Sequence, residues 1–152
     1  MEKKYKLTEE TTNMGGRTLY RIEALRDFSD VKKGDKGGFI ENEKNLSQIS
    51  DCWVYDDAMV YNNAMVYGNA MVYDNAQVYC NAMVYDNAEV SGYAMVYGNA
   101  MVYNNAMVYD NARICDNAKI YGEAVVYGDA RVRNDAEFCD NTIVYDDTVI
   151  YE

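Results

Sequence analysis

The sequence predicts an all-β fold: a parallel β-helix of about five to six triangular coils behind a small N-terminal β cap. Three observations carry this. From Cys52 onward the chain repeats every six residues without an insertion or deletion. Within each unit a small and an aliphatic residue stand two apart, which is the spacing of one face of a strand. Residues 1–45, by contrast, carry 10 of the 14 Lys and Arg and 9 of the 25 Asp and Glu, and they alternate polar with apolar residues instead of repeating.

The commonest repeat unit is A-M-V-Y-x-N. Ala opens the units from Ala58 to Ala136, and Thr142 and Thr148 then take its place. An aliphatic side chain follows two residues later, from Val54 and Val60 to Val144 and Ile150, with Phe138 the one aromatic substitute. A period of six cannot hold one stripe on a helix of 3.6 residues per turn, so helix is excluded. Each unit reads as a short strand followed by a two-residue corner, as at Gly68-Asn69, Gly98-Asn99 and Gly128-Asp129. Gly and Asn enter the left-handed backbone region at low cost.

Three units make a coil of 18 residues, and residues 18 apart stack to form three walls. Val66, Val84 and Val102 are expected in one buried stack, with Tyr67, Tyr85 and Tyr103 pointing outward. Trp53 and Tyr55 are expected to open the outward row of the first wall. Tyr and Val suit a pleated surface, and like residues stack between coils. Contiguous outward Met and Tyr also suit a contact surface, so a homo-oligomer, with a trimer favoured, is expected.

The N-terminal segment, 1–45, is assigned to the cap and 46–152 to the β-helix. Lys4–Leu7 and Thr18–Leu25 alternate as half-buried strands do, with Asn13-Met14-Gly15-Gly16 as the turn between them. A solenoid needs its terminal coil covered, because a bare edge invites pairing with another chain.

An aliphatic residue with a small residue four positions on, as in Val60 with Ala64 and Val66 with Ala70, resembles the hexapeptide pattern of left-handed parallel β-helices. The stretches Asp27-Phe28, Asp30-Val31, Lys33-Gly34, Gly37-Gly38-Phe39-Ile40, Asn45-Leu46-Ser47 and Asp51-Cys52-Trp53-Val54-Tyr55 resemble the opening segment of YdcK-type proteins of bacteria and phages. Those proteins carry the label of hexapeptide acyltransferases. The resemblance implies a left-handed, β-capped helix and says little about activity, since the label rests on the repeat itself.

Composition narrows the chemistry. A chain of 152 residues without His has no Ser-His or Cys-His pair and no His base or ligand. Hexapeptide acyltransferases use such a base, so acyl transfer is the disfavoured alternative and no catalytic residue is assigned. A net charge of −11 argues against duplex nucleic acid and anionic membrane surfaces as partners. No apolar run is long enough to span a bilayer and no signal peptide opens the chain, so a cytoplasmic location is expected.

No cofactor and no metal are expected. Asp56, Asp57, Asp74, Asp110, Asp146 and Asp147 share one edge, but Gly92 and Gly128 interrupt it, and it reads as a solvated acidic face. The four cysteines lack zinc spacing and read as small outward residues, Cys115 and Cys139 taking the Tyr place.

One local departure remains. Arg113, Lys119, Arg131 and Arg133 are the four cations of the repeat region. Arg113 and Arg131 lie 18 apart, hence in one column, where their repulsion calls for a counter-charge. Ion pairs with Asp116, Glu137 or another subunit would supply it. An anion, such as a small nucleotide, also would, with Tyr97, Tyr121 and Tyr151 near enough to stack on a base. The leading expectation is a non-catalytic binding solenoid that sequesters a small anionic ligand, a role the family's presence in phages suggests for phage counter-defence. A structural scaffold assembled through the Tyr and Met walls is the alternative.

Overall fold

A computed structural model of the chain describes residues 2–146 and 149–150. The predicted β-solenoid is present, with about six turns and no α-helix among the described residues. Strand β1 (Tyr5–Met14), β2 (Arg17–Ala24) and β3 (Lys36–Ile40) precede a single 3-10 turn at Glu43–Asn45. Two-residue strands then recur every six residues from Trp53–Val54 to Val149–Ile150. The strand in each unit is thus shorter than the four residues the pattern suggests, because Ala and Tyr flank a four-residue turn.

The walls are three parallel sheets. The first holds Trp53, Met71, Glu89, Met107, Val125 and Ile143 in register, and the third holds Met65, Met83, Met101, Lys119 and Glu137. The second holds Met59, Gln77, Met95, Arg113, Arg131 and Val149. In the third wall Met65 N donates to Ala82 O at 3.0 Å and Tyr67 N to Val84 O at 3.1 Å, and the same spacing recurs coil by coil. Every Ala from Ala58 to Ala136 is fully buried, as are Val84 and Val102, with Val66 at 1% exposure. The predicted inward stack is therefore present, and Tyr67, Tyr85 and Tyr103 face outward, half-buried.

The corners show why the residue after Tyr is usually Asp, Asn or Gly, Cys80 being the exception. That residue takes a positive φ at every turn, for example 58° at Asp74 and 57° at Asp116. Where it is Asp or Asn, from Asp56 to Asp116, its side chain accepts from the amide of the equivalent residue one coil on. Asp56 Oδ2 accepts from Asp74 N at 3.0 Å, Asp74 Oδ2 from Gly92 N at 3.1 Å and Asp110 Oδ2 from Gly128 N at 3.1 Å. Along the exposed acidic edge these bonds link Asp56 through Asp74 to Gly92, and Asp110 to Gly128, and the glycines break the run between them; Asp147 lies outside the described residues. At Gly122 an added Cβ would meet Asp140 N at 2.5 Å. A second ladder joins the side chains of Asn63, Asn81, Asn99, Asn117 and Asp135 at 3.1–3.3 Å.

The N-terminal strands extend the second wall. β1 and β2 pair antiparallel through Met14 and Arg17, and β3 runs parallel to Met59–Val60. β1 is longer than predicted, because a register irregularity between Leu7 and Thr11 lets it continue past the non-alternating Glu9-Glu10. Gly38 permits the close join: a Cβ there would lie 2.5 Å from Ala58 O.

Two expectations are corrected here. Trp53 holds the first-wall place in register with Met71 but is not exposed. It is 1% exposed, edge-on to Phe28 at 5.1 Å and to Tyr5 at 6.1 Å. Cys52 is not outward: it stands in the inward small-residue place, fully buried. The covering chain explains both. Lys4 is also fully buried, and its Nζ donates to Cys52 O at 2.7 Å and to Ser50 O at 3.2 Å.

Candidate functional site

The outward faces differ along the solenoid. Over the first coils of the second and third walls, Tyr rings stack on their equivalents one coil away, and each hydroxyl crosses to the Met place of the next coil. Tyr61 Oη lies 3.1 Å from Gln77 Oε1, and Tyr79 Oη lies 3.7 Å from Met95 Sδ. At Arg113 this regularity ends on the second wall.

Arg113 pairs in register with Met95 on one side and Arg131 on the other, and Arg131 pairs with Val149. Both arginines are exposed. Among the described residues neither side chain makes an ion pair or hydrogen bond. The counter-charges proposed from sequence are engaged elsewhere. Asp116 Oδ2 accepts from Asn134 N at 2.9 Å, and Glu137 stands in register with Lys119 and accepts from Tyr121 Oη at 3.4 Å.

The two arginines line an open groove of 440 Å³ with Asn111, Asp129 and Val149. Asn111 and Asp129 were not singled out from the sequence. Each lies two residues before an arginine, and that spacing is the signal that could have found them.

Arg133 lies two residues beyond Arg131, half-buried, in the column of Tyr61, Tyr79, Tyr97 and Cys115. Burial pushes the Cys115 thiol up, and the positive charge of Arg133 opposes this. Tyr97 stacks on Tyr79 at 5.0 Å. Its phenol is pushed up to about 12 by burial and by its hydrogen bond with Cys115, while Arg113 acts in the opposite sense. Arg113, Arg131, Arg133 and Tyr97 therefore share one wall. Lys119 and Tyr121 do not: they belong to the third wall, where Tyr121 stacks on Tyr103 at 5.0 Å. Tyr151 lies outside the described residues.

A second groove, of 230 Å³, lies at the other end of the first wall between Asp30, Tyr55, Asp56, Met71, Tyr73 and Glu89. Its carboxylates suit no anion. Chemically, the second-wall groove offers two guanidinium forks about one coil apart, a geometry that suits a phosphate or carboxylate through charge-assisted hydrogen bonds.

The repeat defines a class. The family model described as the YdcK β-solenoid repeat matches residues 64–80, 94–110 and 112–128, so these stretches are similar to the YdcK β-solenoid repeat. A relative from Escherichia coli (strain K12), named "Uncharacterized acetyltransferase YdcK", is 47% identical over 38 residues. That match covers 25% of this chain and 12% of the relative.

Proposed function

We propose that this protein is a non-catalytic binding solenoid whose second wall takes a small phosphate-bearing anion, a nucleotide in the first instance, between Arg113 and Arg131. One observation carries the reading: two exposed guanidinium groups in adjacent coils that make no ion pair among the described residues, although Asp129 lines the same groove. Like charges so placed destabilise each other, and an anion relieves this. Arg133 reinforces the field and Tyr97 offers an aromatic edge on the same wall. Lys119 and Tyr121, one wall away, serve only a ligand that reaches around the corner.

In this reading the coil winds left-handed, as the aliphatic and small-residue pattern suggests. Residues 1–45 cover its first turn, and 46–152 form the binding body. The protein works in the cytoplasm, as a homotrimer joined through Met and Tyr walls. Exposed Met65, Met107 and Tyr145, each 38–49% accessible, favour such packing. Sequestering a nucleotide signal during phage infection is the biological role that fits. Acyl transfer, which the relative's name raises, is the weaker reading, because this chain has no His to serve as base.

The test is a calorimetric titration with nucleoside triphosphates, inorganic phosphate and acyl-CoA. Nucleotide binding is expected to disappear in Arg131→Ala while the melting temperature of the free protein stays within a degree or so, as for exposed surface changes. If no phosphate compound binds and Arg131→Ala melts earlier, the arginines are structural and the scaffold reading takes first place. Light scattering checks the trimer, and a monomer at working concentration removes it.

A further inference from the structure

One repeat unit departs from its neighbours over its whole outer surface. Residues 70–75 and 106–111 both read AMVYDN, whereas 88–93, which lies between them on the first wall, reads AEVSGY. Ala88 and Val90 remain fully buried, and the four other residues all change. Glu89 pairs in register with Met71 and Met107, so the sheet itself is unbroken. The neighbouring coils show that the fold accepts AMVYDN at this place, so packing alone does not select the change.

Two joined grooves lie where the unit departs. Ser91 leaves Tyr73 with no ring to stack on in the next coil, and Tyr73 stands edge-on to Tyr55, at 84° with centroids 6.3 Å apart. On the second and third walls the stacked rings are parallel within 4°. The 230 Å³ groove beside Tyr55 and Tyr73 takes in Met71 and the carboxylates of Asp30, Asp56 and Glu89. Tyr55 Oη donates to Asp30 Oδ1 at 2.9 Å and Tyr73 Oη to Glu89 Oε1 at 3.0 Å, so each phenol anchors a carboxylate by one oxygen. A second groove, of 320 Å³, shares Asp56 and continues past Asp74 to Tyr93. Tyr93 is 65% exposed and stands where the coils on either side have Asn75 and Asn111.

We propose that the two grooves form one site for a linear aliphatic di- or polyamine. This is independent of the anion-binding reading, which concerns the second wall. Charge and shape select the ligand together. Among the described residues Asp30, Asp56, Asp74 and Glu89 make no ion pair, and no Lys or Arg lines either groove. Asp57, at the second groove, is already taken by Arg21 at 3.0 Å. A hydrated metal ion asks for convergent oxygens alone. Tyrosine rings and a thioether suit methylene groups instead, and a ring face attracts an ammonium. A protonated primary amine has three donors to share among Asp30, Asp56 and Glu89, with its methylenes against Tyr73 and Met71. A second ammonium along the chain then meets Asp74 beside Tyr93. A monoamine engages the first groove only.

The repeat supplies the control variant. Glu89→Met, Ser91→Tyr, Gly92→Asp and Tyr93→Asn together restore AMVYDN. The net charge stays the same, since Gly92→Asp replaces the charge that Glu89→Met removes. Both neighbouring coils already hold this unit, so the variant should melt no earlier than the parent. Spermidine, putrescine, n-butylamine and magnesium chloride are titrated calorimetrically into both proteins at one ionic strength. Saturable binding of spermidine and putrescine is expected in the parent, with n-butylamine about tenfold weaker for want of one charged hydrogen bond. The restored variant should lose spermidine binding, and Arg131→Ala should keep it, which separates this site from the arginine groove. Two single changes add a second reading. Glu89→Gln keeps the bond to Tyr73 and should weaken all the amines alike, while Tyr93→Asn should weaken only those with more than one ammonium. Equal spermidine binding in the parent and the restored variant, or displacement by an equal charge of magnesium, means general attraction to an acidic chain and overturns the proposal. Unchanged binding in both single variants overturns it too, as does the absence of amine binding in the parent.

Discussion

Val84 and Tyr85 are adjacent residues with opposite fates, and the whole solenoid depends on that alternation. Val84 is fully buried in the core, in register with Val66 and Val102, so Val84→Asp buries a charge without a partner. A loss of about 3–5 kcal/mol is expected in urea unfolding, by analogy with broken buried pairs. The outward phenols titrate late. Burial raises Tyr61 and Tyr97 to about 12 from the ordinary 10.0. The folded chain keeps protons that the unfolded chain has already released, so this stability is complete below pH 10 and is lost as pH rises from 10 to 12. Stability measured against pH should be level below 10 and fall above it, and absorbance at alkaline pH should report the delayed ionisation of these phenols. The sequence reveals the in-and-out alternation because it repeats locally. It hides the fates of Cys52 and Trp53, which occupy ordinary repeat positions and are covered only by distant Lys4, Tyr5 and Phe28.

Among the elements, the corners do more than turn the chain. Asn99 accepts from Asn81 at 3.3 Å and donates to Asn117 at 3.2 Å. Asn99→Ala removes both links without touching the core. The links are exposed, so a cost of about 1 kcal/mol is expected from denaturant unfolding. A larger loss would mean that the ladder behaves as one cooperative network. The turn residues were legible as Gly, Asn or Asp, since these enter the left-handed region at low cost, although Cys80 takes the same conformation. Their second task, accepting the amide of the next coil, emerges only when residues 18 apart are brought together. The arginine groove was half legible for the same reason. Spacing put Arg113 over Arg131 and set Lys119 and Tyr121 on the adjoining wall, but that Asn111 and Asp129 line the groove emerges only from the fold.

At the scale of the molecule, charge and order run along one axis. The N-terminal segment is +1 and the remainder −12, from 10 − 9 and 4 − 16. Cations of the first segment, Lys3, Lys6, Arg17, Arg21 and Lys36, make ion pairs with carboxylates. Added salt should therefore relieve self-repulsion in the repeat region more than it weakens these exposed pairs.

The join between coils, where residue i always meets residue i + 18, makes this chain behave like a screw under length changes. Removing residues 76–93 is a pure translation: Tyr97 comes to rest on Tyr61, and every side chain above keeps its wall. Removing only 82–87 leaves each Ala and Val inside, yet turns everything beyond by a third of a revolution. Tyr97 then stands over Tyr73, and the arginines move to the first wall, above an acidic groove. Both deletions should fold. The longer one should keep the anion-binding behaviour of the parent, and the shorter one should lose or alter it, as titration of the two proteins side by side would reveal. In such a molecule the heritable unit of function is the full revolution, even though the unit of sequence is a third of it.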